Sequence, residues 1–354
     1  MKFLNCYCLF IFALSAQIPA PNKRVIAIGD LHGDYEQAVK VLQMANLVDE
    51  NAKWIGKNDT LVQTGDIVDR GPHVIKLYKM MQRLTKEASA AGGKVVQLLG
   101  NHELMNMMED YRYVTKEDID TFGGLDERKK AFTLEGWVGK YLRNLGITAV
   151  VDDTINHDTI DNLHKMSISE LLNVEMFKGE GPTQYLDDTV YAHGGITPKW
   201  AEFGVEKMNQ NTISDLHRKS TSQLKKVELF NFEGPTQYRG YARDAEPGIC
   251  KTLETALKSM RVNRMVLGHT VQQNGKITSR CGGRIILIDV GISKYKRGNL
   301  AALELTPGHA KGLYPNGKSA VLPVPSNLNH NSHPKRVTLR EYLQITKYSF
   351  NRPI

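Results

Sequence analysis

Short β-branched runs that break at a glycine alternate with longer stretches whose apolar residues recur every three or four positions. Residues 24–28 (RVIAI) stop at Gly29-Asp30, residues 60–64 (TLVQT) at Gly65-Asp66, and residues 94–99 at Gly100-Asn101. Each run reads as a short buried strand. Between them, residues 35–45 carry Ala38, Val41, Leu42 and Ala45 at helical spacing, and residues 74–90 carry Ile75, Tyr78, Met81 and Leu84. Both read as amphipathic helices. The result is a βαβαβ unit, hence a mainly parallel start to a sheet with helices outside it. The same pattern predicts strands at 188–192, 263–267, 284–289 and 299–305, with a helix over 247–259. Beyond residue 305 the sequence turns to Pro, Gly, Asn and Lys. It reads as a loose tail over 306–354 with one short helix at 339–348.

The middle of the chain holds a duplication. Residues 156–185 and 209–238, offset by 53, are identical at 17 of 30 positions, and both end in EGPTQY. Each copy is expected to be a helical segment followed by a Gly-Pro turn. Two copies are too few for a solenoid.

Composition narrows the class. The chain has 354 residues, 41% of them hydrophobic and 24% charged, which suits a globular enzyme with one large core or two modest ones. Its net charge of +8 would favour anionic ligands. No Lys/Arg block interleaved with aromatics and no finger motif occurs, so nucleic acid is not the expected partner. Residues 1–15 have a basic Lys2, a short apolar stretch and a small-residue site near Ala13 and Ser15. This is the pattern of a secretory signal peptide, too short for a membrane span, and it directs the chain to the secretory pathway. A mitochondrial leader, which would be richer in Arg and Ser, is the alternative. Removing that segment discards Cys6 and Cys8 and leaves Cys250 and Cys281, which either pair or remain buried thiols.

The strand ends carry the chemistry. They supply Asp30 and His32, then Asp66, Asp69 and Arg70, then Asn101, His102 and Glu103, and later His193 and His269, from five glycine-flanked ends. One histidine after a strand is usually a packed or capped residue. Five glycine-flanked ends offering carboxylate, amide and imidazole together suit two borderline-hard metal ions. An aspartate bridging two ions about 3.5–4 Å apart is the arrangement that drives in-line phosphoryl transfer to water.

The motifs GDLHG (29–33), GDIVDRG (65–71) and GNHE (100–103) resemble those of the phosphoprotein phosphatase family of calcineurin-like metallophosphoesterases. YRGYA (238–242), GHT (268–270) and DVGIS (289–293) resemble its Shewanella-like branch. The resemblance covers residues 24–305. It implies an α/β/β/α sandwich of mixed sheets flanked by helices, with two ions, Mn or Fe/Zn. Asp30, His32 and Asp66 would hold the first; Asp66, Asn101, His193 and His269 the second. It further implies that hydroxide between the ions attacks phosphorus and that His102, oriented by Asp69, protonates the leaving oxygen. Arg70 and a second arginine would grip the phosphate. Arg239, directly after the second EGPTQY, matches that arginine, with Arg243 as its rival; the first copy has Leu186 there. Glu103 reads as a structural contact. The implied activity is hydrolysis of phosphate monoesters on proteins, serine and threonine before tyrosine, with no regulatory partner named. The segment SAPNYC of the eukaryotic Ser/Thr enzymes is replaced by IDVGISKYKRG, which leaves that preference open. The alternatives are a diadenosine tetraphosphate hydrolase and a metal-free phosphate-binding pseudoenzyme. The second is disfavoured because every ligand position is filled.

Overall fold

The structure, a computed structural model, describes residues 24–151 and 189–325. The candidate signal segment 1–15, the first duplicated copy with Leu186, and the helix expected at 339–348 lie outside those residues.

Two mixed sheets carry the fold. The first has six strands in the order β11-β10-β9-β1-β2-β3, built from β1 (Val25–Ile28), β2 (Thr60–Gln63), β3 (Lys94–Gln97), β9 (Ala302–Thr306), β10 (His309–Leu313) and β11 (Ser319–Val321). The second has five, in the order β4-β5-β6-β8-β7, from β4 (Thr148–Val151), β5 (Thr189–Ala192), β6 (Arg264–Leu267), β7 (Thr278–Arg280) and β8 (Ile285–Leu287). β1, β2 and β3 run parallel, as do β5, β6 and β8. β1, β2, β5, β6 and β8 are buried at every residue. Burial on both faces explains why these strands appear in the sequence as near-continuous apolar runs.

Helices α1 (Tyr35–Met44) and α2 (Val74–Ala90) connect the first three strands, and α3 (Asn101–Met107) follows β3 directly. The Asp34 side chain caps α1, accepting from Gln37 N at 3.1 Å. Ala38, Val41, Leu42 and Ala45 are all buried, as the spacing predicts. On α2 the buried stripe runs through Val74, Leu77, Tyr78, Met81, Leu84 and Ala88, while Ile75 is half-buried. The inward face is therefore rotated slightly from the sequence-based one. Three short helices, α4 (Lys116–Thr121), α5 (Leu125–Phe132) and α6 (Trp137–Leu142), then lead to β4.

The expected loose tail needs correction. Residues 309–313 and 319–321 form β10 and β11, which extend the first sheet through β9. Alternating burial along β10, with Ala310 and Gly312 inward, supplies one apolar face despite a polar composition. The cysteines are also decided: Cys250 and Cys281 form a disulfide. It ties the helix Gly248–Met260 to the turn before β8.

The carboxyl ends of β1, β2 and β3 meet those of β5, β6 and β8. A Cβ on Gly29 would stand 3.0 Å from the backbone of Asp289, and Thr64 O lies 2.9 Å from His193 Nδ1. The seam between the sheets is where ligands are expected in an α/β architecture.

Candidate metal centre

The backbone at this seam is held in an uncommon shape. His32, Asp66, Asp69, Arg70 and His269 all have positive φ, from 40° to 70°. Non-glycine residues rarely adopt such angles, and their concentration marks a site whose surroundings over-determine it. The surroundings are visible. Asp66 O accepts from Leu31 N and His32 N, both at 3.0 Å, and Gly33 N donates to Ile67 O at 2.7 Å. Gly33 and Gly71 touch so closely that a Cβ on Gly33 would fall 2.1 Å from Gly71 O. Glu103 completes the clamp. Its buried carboxylate accepts from the amides of Asp66, Ile67, Val68 and Gly100 and from the Tyr78 hydroxyl. The structural reading of Glu103 thus acquires a definite form, a staple joining two ligand loops. Burial, and then the charge of Asp66, push this carboxyl upward against those donors.

All six candidate ligands converge and are at least nine-tenths buried. One group brings ligand atoms of His32, Asp66 and His102 within 4.8 Å of one another; a second does so for Asp66, His193 and His269. Asp66 belongs to both, as a bridging ligand must. Tautomers follow from the backbone. Val68 O lies 3.0 Å from His32 Nδ1 and Thr64 O lies 2.9 Å from His193 Nδ1, so each Nδ1–H donates outward and each Nε2 turns inward. His193 Nε2 then sits 3.0 Å from Asn101 Oδ1 and 3.2 Å from Asp66 Oδ2. A lone pair facing two oxygens at that distance calls for a cation or a proton between them. Despite burial, Asp66 and Asp30 push His193 up to about 9. Burial and His193 hold His269 well below the usual imidazole range. Asp30 is raised by burial and by Asp289. This donor set fits two metal ions.

His102 enters the first group in place of Asp30, but its bonding differs from that of a ligand. His102 Nδ1 lies 2.7 Å from Asp69 Oδ2, while Nε2 stands 3.7 Å from Asp66 Oδ2. Asp30 Oδ2 is 3.8 Å from His32 Nε2. Asp30 Oδ2 and Asp66 Oδ2 thus stand at the same 3.8 Å from His32 Nε2, an arrangement that suits a first ion.

The two arginines are held by different neighbours. Arg70 N donates to Tyr113 O at 3.1 Å, its guanidinium lies 4.6 Å above the Tyr113 ring, and its buried Nε has no hydrogen-bond partner among the described residues. Arg239 Nη1 donates to His269 O at 2.8 Å and to Thr270 Oγ1 at 3.1 Å. Arg243 is exposed. The second EGPTQY contributes more than the arginine after it. Pro235 O accepts from Gly194 N at 2.7 Å and Gly195 N at 3.1 Å, and Gln237 O lies 3.1 Å from His269 Nε2. This copy braces both histidine loops of the second sheet. Arg239→Ala is expected to lower kcat/KM at least about tenfold, through lost charge-assisted hydrogen bonds, with metal content intact. Arg243→Ala should stay near wild type. Steady-state kinetics with elemental analysis checks both, and the reverse ranking would break this register.

Three residues escaped the sequence reading. Asp289, at the end of β8, is buried and its Oδ2 has no hydrogen-bond partner among the described residues. Lys296, an exposed residue, stands near Asp30 and Arg70. Both belong to the IDVGISKYKRG segment, which pointed to a branch and not to roles. Tyr113, whose ring centroid lies 4.8 Å from that of His102, sits in a polar loop with no motif.

Comparison with known proteins gives the family and the fold. The family model for calcineurin-like phosphoesterases matches residues 23–273. A Schizosaccharomyces pombe protein described as uncharacterized is 34% identical over 312 residues, covering 86% of this chain and 83% of its own. Shewanella-like protein phosphatase 2 of Arabidopsis thaliana is 28% identical over 302 residues, 77% of this chain and 72% of its own. The crystal structure of the cold-active protein-tyrosine phosphatase of a psychrophilic Shewanella superposes with a TM-score of 0.67 at 26% identity, covering 85% of this chain and 80% of its own.

Proposed function

The chain belongs to the calcineurin-like phosphoesterase family, and from that premise we propose that it is a dimetal protein phosphatase that hydrolyses phosphate monoesters, phosphotyrosine foremost. It is a phosphoester hydrolase; the protein substrate, the mechanism and the preference among side chains are the proposal. The observation that carries it is the shared Asp66 between two ligand groups, beside the His102–Asp69 pair and two arginines. The ions, when bound, supply Lewis acidity toward phosphoryl oxygens and lower the pKa of water. Asp30, His32 and Asp66 would hold one, and Asp66, Asn101, His193 and His269 the other.

The remaining work falls to the chain. Arg70 and Arg239 hold the non-reacting phosphoryl oxygens with their planar forks. A water oxygen bonds to phosphorus as the ester P–O bond opens on the opposite side. His102 Nε2–H passes its proton to the departing oxygen, and Asp69 keeps the ring turned by accepting from Nδ1–H. Tyr113 favours an aromatic leaving group. Its ring stacks near His102 and Arg70 yet remains 39% exposed, so one edge is available to a substrate ring. This moves the expectation from serine and threonine toward tyrosine, in keeping with the name of the Shewanella relative.

The Cys250–Cys281 disulfide supports reading the N-terminal segment as an export signal, since such bonds persist in oxidising compartments. No helix among the described residues is long and apolar enough to cross a membrane.

Purified protein loaded with manganese is expected to release phosphate from phosphotyrosine peptides faster than from phosphoserine or phosphothreonine peptides, and from all of these faster than from diadenosine tetraphosphate. Preference for the dinucleotide would overturn the protein-phosphatase reading; preference for phosphoserine would overturn the tyrosine part alone.

A further inference from the structure

Behind the His102–Asp69 pair lies a fully buried guanidinium. Arg128, in the middle of α5, is 0% exposed. Its Nε donates to Asp118 Oδ2 at 2.8 Å, its Nη1 to Asn106 Oδ1 at 2.6 Å, and its Nη2 reaches Asp69 Oδ1 at 3.4 Å. Its plane lies 4.8 Å from the Phe132 ring centroid and 5.5 Å from that of Phe122. Asn106 is doubly used: its Nδ2 donates to Asp69 Oδ1 and to His102 O, both at 2.9 Å. Asp69 is itself 0% exposed. Its two oxygens are divided, with Oδ1 held by Asn106 and Arg128 and Oδ2 held for His102 Nδ1.

That division decides what Asp69 can do. A carboxylate sealed from water needs a nearby positive charge, and it needs both oxygens satisfied. Arg128 supplies that charge, its Nη2 3.4 Å from Asp69 Oδ1. Its fork also spans three helices, reaching Asp118 on α4 and Asn106 on α3 from α5. A carboxylate free to rotate would release the imidazole ring, and proton delivery depends on Nε2 meeting the leaving oxygen within hydrogen-bond reach.

We infer that Arg128 is a positioning residue for the general acid: with Asn106 it fixes Asp69 Oδ1, so that Asp69 Oδ2 holds His102 with Nε2 toward the leaving group. The segment α4–α5 is thereby part of the catalytic apparatus and not only a cover on the core. Arg128 touches neither substrate nor ion, and it acts through Asp69. The inference rests on the acid role proposed for His102.

The experiment measures kcat/KM on p-nitrophenyl phosphate and on an alkyl phosphate with one preparation of each variant. The ratio of the two does not depend on the fraction of chains that fold. Arg128→Lys keeps charge and loses the fork. Arg128→Gln with Asp118→Asn removes the charge together with the carboxylate it would strand. Both are expected to lose at least about tenfold on the alkyl ester and less than about threefold on the aryl ester, whose leaving group needs little protonation. Two bound metal ions should remain by elemental analysis. His102→Asn runs beside them. A leaving-group effect in His102→Asn with an unchanged ratio in both Arg128 variants would overturn this inference and leave the acid assignment standing. An unchanged ratio in His102→Asn would overturn the acid assignment itself. Failure of both Arg128 variants to fold would make Arg128 a folding residue and also overturn the inference.

Discussion

Asp66→Asn is expected to leave a folded protein that binds fewer than two metal ions per chain and loses at least about a thousandfold in kcat. The side chain is placed between both ligand groups, 3.2 Å from His193 Nε2 and 3.8 Å from His32 Nε2. Burial alone would raise its pKa, yet His193 and His102 hold it well below the usual carboxylate range. An amide there keeps the shape and the hydrogen bond from His102 N but removes the charge that two cations would share. The rate estimate follows from losing several kcal/mol of Lewis-acid stabilisation, at about 1.4 kcal/mol per factor of ten. Elemental analysis, with a thermal melt to establish folding, is the measurement. Two ions and undiminished turnover would remove Asp66 from the ligand set.

His102→Asn separates an acid from a ligand. Both readings are open to an imidazole whose Nδ1 faces a carboxylate, since ligating histidines are also braced that way. The acid reading expects metal content unchanged and turnover on an alkyl phosphate reduced about 10²–10⁴-fold, the usual contribution of general acid catalysis. On p-nitrophenyl phosphate the loss should be much smaller. Loss of an ion, or equal losses on both esters, would return His102 to the ligand group in which its position near His32 and Asp66 could place it.

Much of this candidate site is legible in the sequence. GDLHG, GDIVDRG and GNHE declare themselves because the chemistry is local. A strand must end, the turn needs residues that tolerate close approach or positive φ, and the ligands follow at the turn. Gly33 against Gly71, and Gly65 against Gly100, show why glycine stands there: any Cβ would meet backbone within 3 Å. The rival arginines were not separable by spacing. Arg239 and Arg243 differ by one helical turn, and only packing put one at His269 and the other in solvent.

What the sequence determined by itself is the set of elements with strong local signals: the β-branched strands, α1 and α2, and the six candidate ligands at strand ends. Tertiary structure decided everything whose partner lies far along the chain. β10 and β11 come from a stretch rich in Gly and Lys, and they exist because β9 offers an edge to pair with. Cys250 meets Cys281 across 31 residues, a choice that spacing alone left open. The inward Nε2 of His193 depends on Thr64 O, 129 residues away. Arg128 sits in a run of charged residues, LDERKKAF, that reads as a solvated helix face. Its neighbours Lys129 and Lys130 do face solvent, and Arg128 alone turns inward because Asp69 and Asp118 wait there. Local propensity reports how a backbone wants to run. Which buried charge finds its countercharge is a property of the folded whole, because desolvation and pairing are felt only once water has left.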